Sequence, residues 1–386
     1  MQTVDVEKIA EAVLYEGYLL FPYRRSAMKN QQRWTFGGVY PRRYSEATGG
    51  DDPWLMQTQC LVLGDPTTEL DIRVRFLHVV DRKVMEGGSE PPRFVEALRI
   101  GAHVYRPWEE GMERAILIGA EADGSPLRLG DLLSETGQFP IAIPAGRQVE
   151  NLSGASGEEA GAFVREWQSL LGSVELTAER LAMEADHAPA PPPGTALYRL
   201  TARIRNTTPW PGEGAETESR TGAVRRSFIS THTILRVSGG EFISLLEPPA
   251  GCEDAAANCA NIKTWPVLVG EPGEAHTLLS SPIILYDYPR ISPESQGNYF
   301  DATEIDELLA LSVMTLTDEE KQEMRESDDH GREILERTES LSEEQLMKMH
   351  GVVRYLQASK GEQSESLLPP RASMPAEPGM GWRGSE

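Results

Sequence analysis

Three cysteines and seven histidines are the residues of this 386-residue chain best suited to hold a metal or exchange electrons. Cys252 and Cys259 stand closest, separated by six residues in CEDAAANC, with His232 upstream and Cys60 far away. Thiolate and imidazole together can bind zinc or support redox chemistry, but structural zinc sites favour about two to four intervening residues and a second close pair. Cys252, Cys259 and His232 are therefore weak metal or thiol-redox candidates, and loop or packing cysteines are the simpler expectation. None of His78, His103, His187, His232, His276, His330 and His350 falls in an HExxH or HxH spacing. In the acidic cluster Asp301, Glu304, Asp306 and Glu307, Glu304 and Glu307 share a helix face. Paired carboxylates can do acid–base work or bind a hard cation. Acids in a first helical turn are also favoured by the helix dipole, which accounts for them without a site. Phosphate-cradling glycine loops are missing, and NLSGASGEEAG around Ser153 and Ser156 has a loop composition, not that of a nucleophile elbow. No catalytic residue and no cofactor is expected. An enzyme working through Glu304 is the alternative to a non-enzymatic role.

Charge points to contacts between proteins. The formal net charge is −23, which disfavours binding to nucleic acid and anionic membranes. Basic and aromatic residues interleave in FPYRRSAMKNQQRWTF, a pattern that could stack on RNA, but one short patch on so acidic a chain does not carry that function. Residues 301–347 hold sixteen acids against four bases, while 15–46 lean basic through Arg24, Arg25, Lys29, Arg33, Arg42 and Arg43. A solvated acidic helical surface and an ordinary basic loop account for this distribution; the sharper alternative is that the two ends dock on each other or on a partner of opposite charge. Aromatics flanked by arginine are the usual anchors of an interface and are equally common in a core. The candidate partner-binding residues are Tyr23, Arg24, Arg25, Lys29 and Trp34, and then Tyr286, Tyr288 and Pro289 after the apolar run Pro282–Tyr286.

These residues must be positioned by a β-rich body. ELDIRVRFLHVVDR alternates cleanly, with Leu70, Ile72, Val74, Phe76 and His78 on one face and Asp71, Arg73, Arg75 and Leu77 on the other. SVELTAERLA, a proline-rich gap and ALYRLTARIRN echo CLVLG and ELDIRVRF about a hundred residues earlier, as two related β-units would, and as chance likeness between amphipathic strands would equally. SFISTHTILRVSGGEFISLL reads as a hairpin turned at Gly239-Gly240. Residues 4–15 have helical spacing, with Asp5 as a cap. After Phe300 the period becomes helical, with a cap at Asp301 or Thr303 and capping boxes at Thr317/Glu320 and Ser342/Gln345. The expected fold is α+β and β-rich: one or two antiparallel sandwich-like units with a small helical C-terminal subdomain. The expected spans are 1–54 (a helix and the irregular basic-aromatic segment), 55–150 and 151–298 (two β-rich units), 299–357 (acidic helices) and 358–386 (a disordered tail). Acids where a signal peptide needs bases, three cysteines and no run of eighteen apolar residues make the cytoplasm the expected compartment, without membrane insertion.

SPIILYDYPRISPESQGNYFDATEIDELLAL and the following LTDEEKQEMRESD resemble an uncharacterised family. Its genes accompany oxygen-tolerant, hydrogen-scavenging nickel–iron hydrogenases of actinobacteria and other soil bacteria. VLYEGYLLFPYRRSAMKNQQRWTFGGVYP, RSFISTHTILRV and TWPVLVG fit the same likeness, which touches about three-quarters of the chain. The resemblance supplies no catalytic residues. It implies an accessory role in assembly or maturation of the hydrogenase, with hydrogenase subunits or maturation factors as partners.

Overall fold

The computed structural model describes residues 3–341 apart from 25, 28–29, 31–32, 35, 89–90, 102, 155–156, 183–193, 211–219, 291–305 and 328. Asp301, Thr303, Glu304, the Ser342/Gln345 box and the tail from Ala358 lie outside the described residues. In chain order the strands are β1 Leu55–Gly64, β2 Glu69–Glu86, β3 Arg93–Val95, β4 Leu98–Ile100, β5 His103–Tyr105, β6 Trp108–Ile118, β7 Leu127–Arg128 and β8 Gly137–Ile143. They continue as β9 Gly146–Ser153, β10 Glu159–Trp167, β11 Leu170–Leu181, β12 Ala196–Asn206, β13 Ile229–Ser238, β14 Glu241–Ile243, β15 Trp265–Leu268 and β16 Thr277–Ser281.

Two antiparallel sheets face each other as one open sandwich. The smaller runs β14-β1-β12-β11-β8; the larger runs β15-β16-β13-β2-β10-β9, with β3, β6 and β7 also on β2. Between them lies the core expected from the alternation: Leu70, Ile72, Val74 and Phe76 of β2 meet Cys60, Val62, Leu176, Leu200 and Ile204 of the smaller sheet. The spans 55–150 and 151–298 are not two units. β1 pairs with β12 over ten residues, and β2 pairs with both β10 and β13, so each half contributes strands to both sheets. Neither half alone would cover the apolar face of its sheet. The sequence echo does not extend to topology either: β11 and β12 are paired neighbours, whereas β1 and β2 sit in different sheets.

The expected Gly239-Gly240 hairpin is instead a crossing between sheets. β13 lies in the larger sheet, and β14 pairs with β1 in the smaller one. Gly239 takes φ 79°, and a Cβ on Gly240 would come 2.9 Å from the Leu63 carbonyl oxygen. Thr68, on the other crossing (β1 to β2), donates from Oγ1 to the Gly239 carbonyl at 3.0 Å. One hydroxyl thus ties both crossings together.

The amino-terminal helix Thr3–Leu14 places Val6, Ile9, Ala10 and Val13 on Ile234, Val267, Val269 and Leu279, on the outer face of the larger sheet. Its Glu7 meets Arg73 at 2.8 Å and Arg236 at 3.2 Å. Toward the other end stand helices Asp306–Met314, Asp318–Ser327 and Asp329–Glu339. The Thr317/Glu320 capping box forms as expected: Glu320 N–H donates to Thr317 Oγ1 at 3.2 Å, and Thr317 N–H to the Glu320 carboxylate at 2.9 Å. Among the described residues no helix is long and apolar enough to cross a membrane.

Candidate functional site

The metal or thiol candidates do not form one site: Cys252 and Cys259 pack in one cluster against the smaller sheet, and His232 lies on the larger. A bulge between Ile229 and His232, with Ser230 at φ 51°, shifts the register of β13 against β2. An extra residue flips every following side chain, so Phe228 and Leu235 both reach the sandwich core. His232 and Ile234 then share the outer face under the amino-terminal helix. His232 is fully buried; its Nδ1 lies 3.1 Å from the Ser230 carbonyl, while Nε2 has no partner. Burial pushes its pKa down to about 3, aided by the charge of Arg75 and opposed by the Ser230 carbonyl. Cys252 and Cys259 flank the helix Glu253–Ala257 on the outer face of the other sheet, against Leu61 and Leu197. Burial pushes both thiols up, the Arg199 guanidinium opposing it at Cys259. A protonated thiol is a poor nucleophile and a poor metal ligand. Among the described residues no group of three or more His, Cys, Asp and Glu side chains could hold a metal ion.

The basic-aromatic segment folds back onto its own chain. Tyr23 is fully buried and Trp34 is 6% exposed, so neither is offered to a partner. Arg25 and Lys29 lie outside the described residues. Arg33, also buried, stacks on Trp108 at 3.9 Å and Trp34 at 4.7 Å, and donates to the carbonyls of Tyr18 (3.2 Å) and Glu109 (2.6 Å). Helix Asp318–Ser327 docks beside it. Arg24 pairs with Glu320 at 3.1 Å, Ser26 donates from N–H and Oγ to Glu323, and Arg106 reaches Glu326 at 3.4 Å. His330 sits against Tyr15 and Tyr18 at 5.0 and 5.2 Å. The complementary ends therefore meet within one molecule. Arg24→Glu is expected to loosen this helix while costing under about 1 kcal/mol, because the pair is partly exposed. Faster hydrogen exchange at 318–327, matched by raised salt in the wild type, is the measurement; unchanged exchange would make the pair incidental.

Next to this contact an open groove of about 980 Å³ separates the helix from the body. Ser26, Asn30 and Arg33, the turn into β6 from Arg106 to Glu109, Asp81, Arg225 and the helix face Glu319–Glu326 line it. The sequence signalled parts of this groove only as charge, because its walls come from five separate stretches.

The second candidate surface is presented differently. Tyr286 is 85% exposed and Ile284 72%, the most exposed large apolar side chains among the described residues. Their segment is held in place: Leu268 N–H donates to the Asp287 carboxylate at 2.7 Å, and Tyr288 N–H donates to the Leu268 carbonyl at 2.7 Å. Tyr288 packs on the core, and Pro289 is half-buried. These bonds cap β15, whose Pro266 has no N–H to offer, so this sheet edge is closed to strand pairing. No protein-family model matches the sequence, and no curated protein matches it.

Proposed function

We propose that this protein is a non-enzymatic accessory factor that works by protein–protein contact in the assembly or maturation of a nickel–iron hydrogenase, in the cytoplasm. The observation that carries the contact reading is the exposed pair Ile284 and Tyr286, on a segment whose backbone is tied to β15 through Asp287 and Tyr288. Tyrosine offers a large contact area with few rotatable bonds and serves as an interface anchor. The family likeness of the same segment supports the hydrogenase as the partner.

A deletion strain complemented with tagged protein tests this. Hydrogenase subunits are expected to co-purify with the wild type, and hydrogenase nickel content to fall in the deletion. Tyr286→Ala with Ile284→Ser is expected to reduce capture about tenfold, the scale of an interface anchor, with unchanged circular dichroism. Normal nickel content in the deletion together with no captured subunits would remove the hydrogenase reading.

A further inference from the structure

We infer that β6 is a strand-addition site, whose free edge takes an extended, basic segment of a partner protein as a further strand of the larger sheet. The site is separate from Ile284 and Tyr286 and does not depend on a hydrogenase as the partner. β2 is flanked on one side by β13 and β10, and on the other by β6, which follows it from Ile72 to Arg82. Among the described residues β6 has no second neighbour in the sheet. Alternate residues of an antiparallel strand turn their N–H and C=O groups away from a given neighbour. At the start of β6 the Glu109 carbonyl accepts from Arg33. From Glu110 to Ile118 no backbone N–H or C=O has a partner outside β2 among the described residues.

The other long edges are guarded, and β6 is not. β15 carries Pro266 and is capped through Asp287 and Tyr288, β8 carries Pro140, β14 is three residues long, and β9 exposes Arg147, Gln148, Glu150 and Asn151. Proline, brevity and polar side chains are the usual protection of a sheet edge. β6 runs eleven residues without proline and ends in Ala115, Ile116, Leu117 and Ile118. Ile116 and Ile118 pack on the sandwich core and hold the strand, while Ala115 and Leu117 are exposed. Its mid-strand charges are tied to its own sheet, Glu113 to Arg75 at 2.8 Å and Arg114 over Trp167 at 5.7 Å, so neither guards the edge. Charge selects the guest. A second copy would bring another −23 and, paired about the middle of the strand, would set Glu113 against Glu113. A basic segment of another protein avoids both costs and is drawn to the acidic chain.

The test titrates full-length protein with a fluorescent peptide of roughly eight residues, alternating Val and Thr between terminal lysines. Two further versions are N-methylated, each on one of the two alternate sets of amides. Saturable binding of the parent peptide is expected, with slowed hydrogen exchange at 110–118. One methylated version has lost the donors that face β6 and is expected to bind at least about tenfold more weakly; the other is expected to bind like the parent. Leu117→Lys is expected to weaken the parent about fivefold, the scale of a lost cross-strand pair. Val149→Lys, the same change at an exposed position of β9, is expected to change nothing. The methylated peptides act on wild-type protein, so their result stands whether or not the Leu117 variant folds. No saturable binding would overturn the inference, as would equal binding of both methylated versions or equal losses in the two lysine variants. Sedimentation supplies the remaining outcome. A wild-type dimer abolished by Leu117→Lys would give the edge to a second copy and overturn the assignment to a partner.

Discussion

Acidification from pH 7 to pH 4 is expected to destabilise the fold by about 3 kcal/mol at each of two histidines, beyond what the carboxylates contribute. His78 and His232 are both fully buried. Burial, with Arg114 adding to it, pushes the pKa of His78 down to about 4, and His232 is held near 3. Unfolded, each returns to about 6.5. The folded values lie lower, so the unfolded chain takes up protons first. Stability is lost as pH falls through about 6.5 and goes on falling until each folded pKa is reached. Only the backbone of Gln168 favours the charged form of His78, and burial with the Arg114 charge outweighs it. Urea midpoints for the wild type, His78→Leu and His232→Gln across pH 7 to 4 measure the effect; the glutamine retains a donor for the Ser230 carbonyl. Each variant should show a shallower fall than the wild type. Parallel curves would mean that the imidazoles keep their ordinary pKa.

Features set by neighbouring residues were legible in the sequence. The alternation Leu70 to Phe76 names the core face of β2, and Thr317 with Glu320 names a helix start. The opposite charges of the two ends offered, beside a plainly solvated surface, the contact that Arg24 and Glu320 make. What failed depends on distant pairing. Gly239-Gly240 looks the same in a hairpin and in a crossing between sheets, and only the pairing of β14 with β1 decides between them. The bulge at Ser230 carries no glycine to mark it, so the facing of His232 was unreadable. Tyr23 and Trp34 were read as partner anchors because interface and core use the same aromatics; both are buried, Trp34 beneath an Arg33 guanidinium that also stacks on Trp108. The groove escaped because Asn30, Asp81, Trp108, Arg225 and Glu319 share no local pattern.

Asn206→Leu is expected to cost about 3–5 kcal/mol, a large share of the roughly 5–15 kcal/mol that holds a typical domain. Asn206 ends β12 with no exposed surface. Its Nδ2 donates to the carbonyls of Val39 and Arg226, both at 2.8 Å, and its Oδ1 accepts from Thr208 N–H at 2.8 Å. Its own N–H donates to the Trp54 carbonyl at 3.1 Å. Leucine has similar bulk, so packing changes little, but the Thr208 N–H and the Arg226 carbonyl lose this partner, and each such loss costs about 1–3 kcal/mol. The Val39 carbonyl suffers less, because it still accepts from Phe228 N–H at 3.1 Å. Asn206→Asp separates hydrogen bonding from shape. It keeps the acceptor for Thr208 but turns a carboxylate oxygen toward two carbonyls, so it is expected to be no milder than leucine despite its nearly identical outline. Because Val39 bridges Phe228 just before β13, the loss should also loosen the chain that carries Arg33 to the groove. Urea unfolding of both variants, with hydrogen exchange across 33–40, measures this. A leucine variant within about 0.5 kcal/mol of the wild type, the range of a neutral surface change, would show that the sandwich holds this segment without the asparagine.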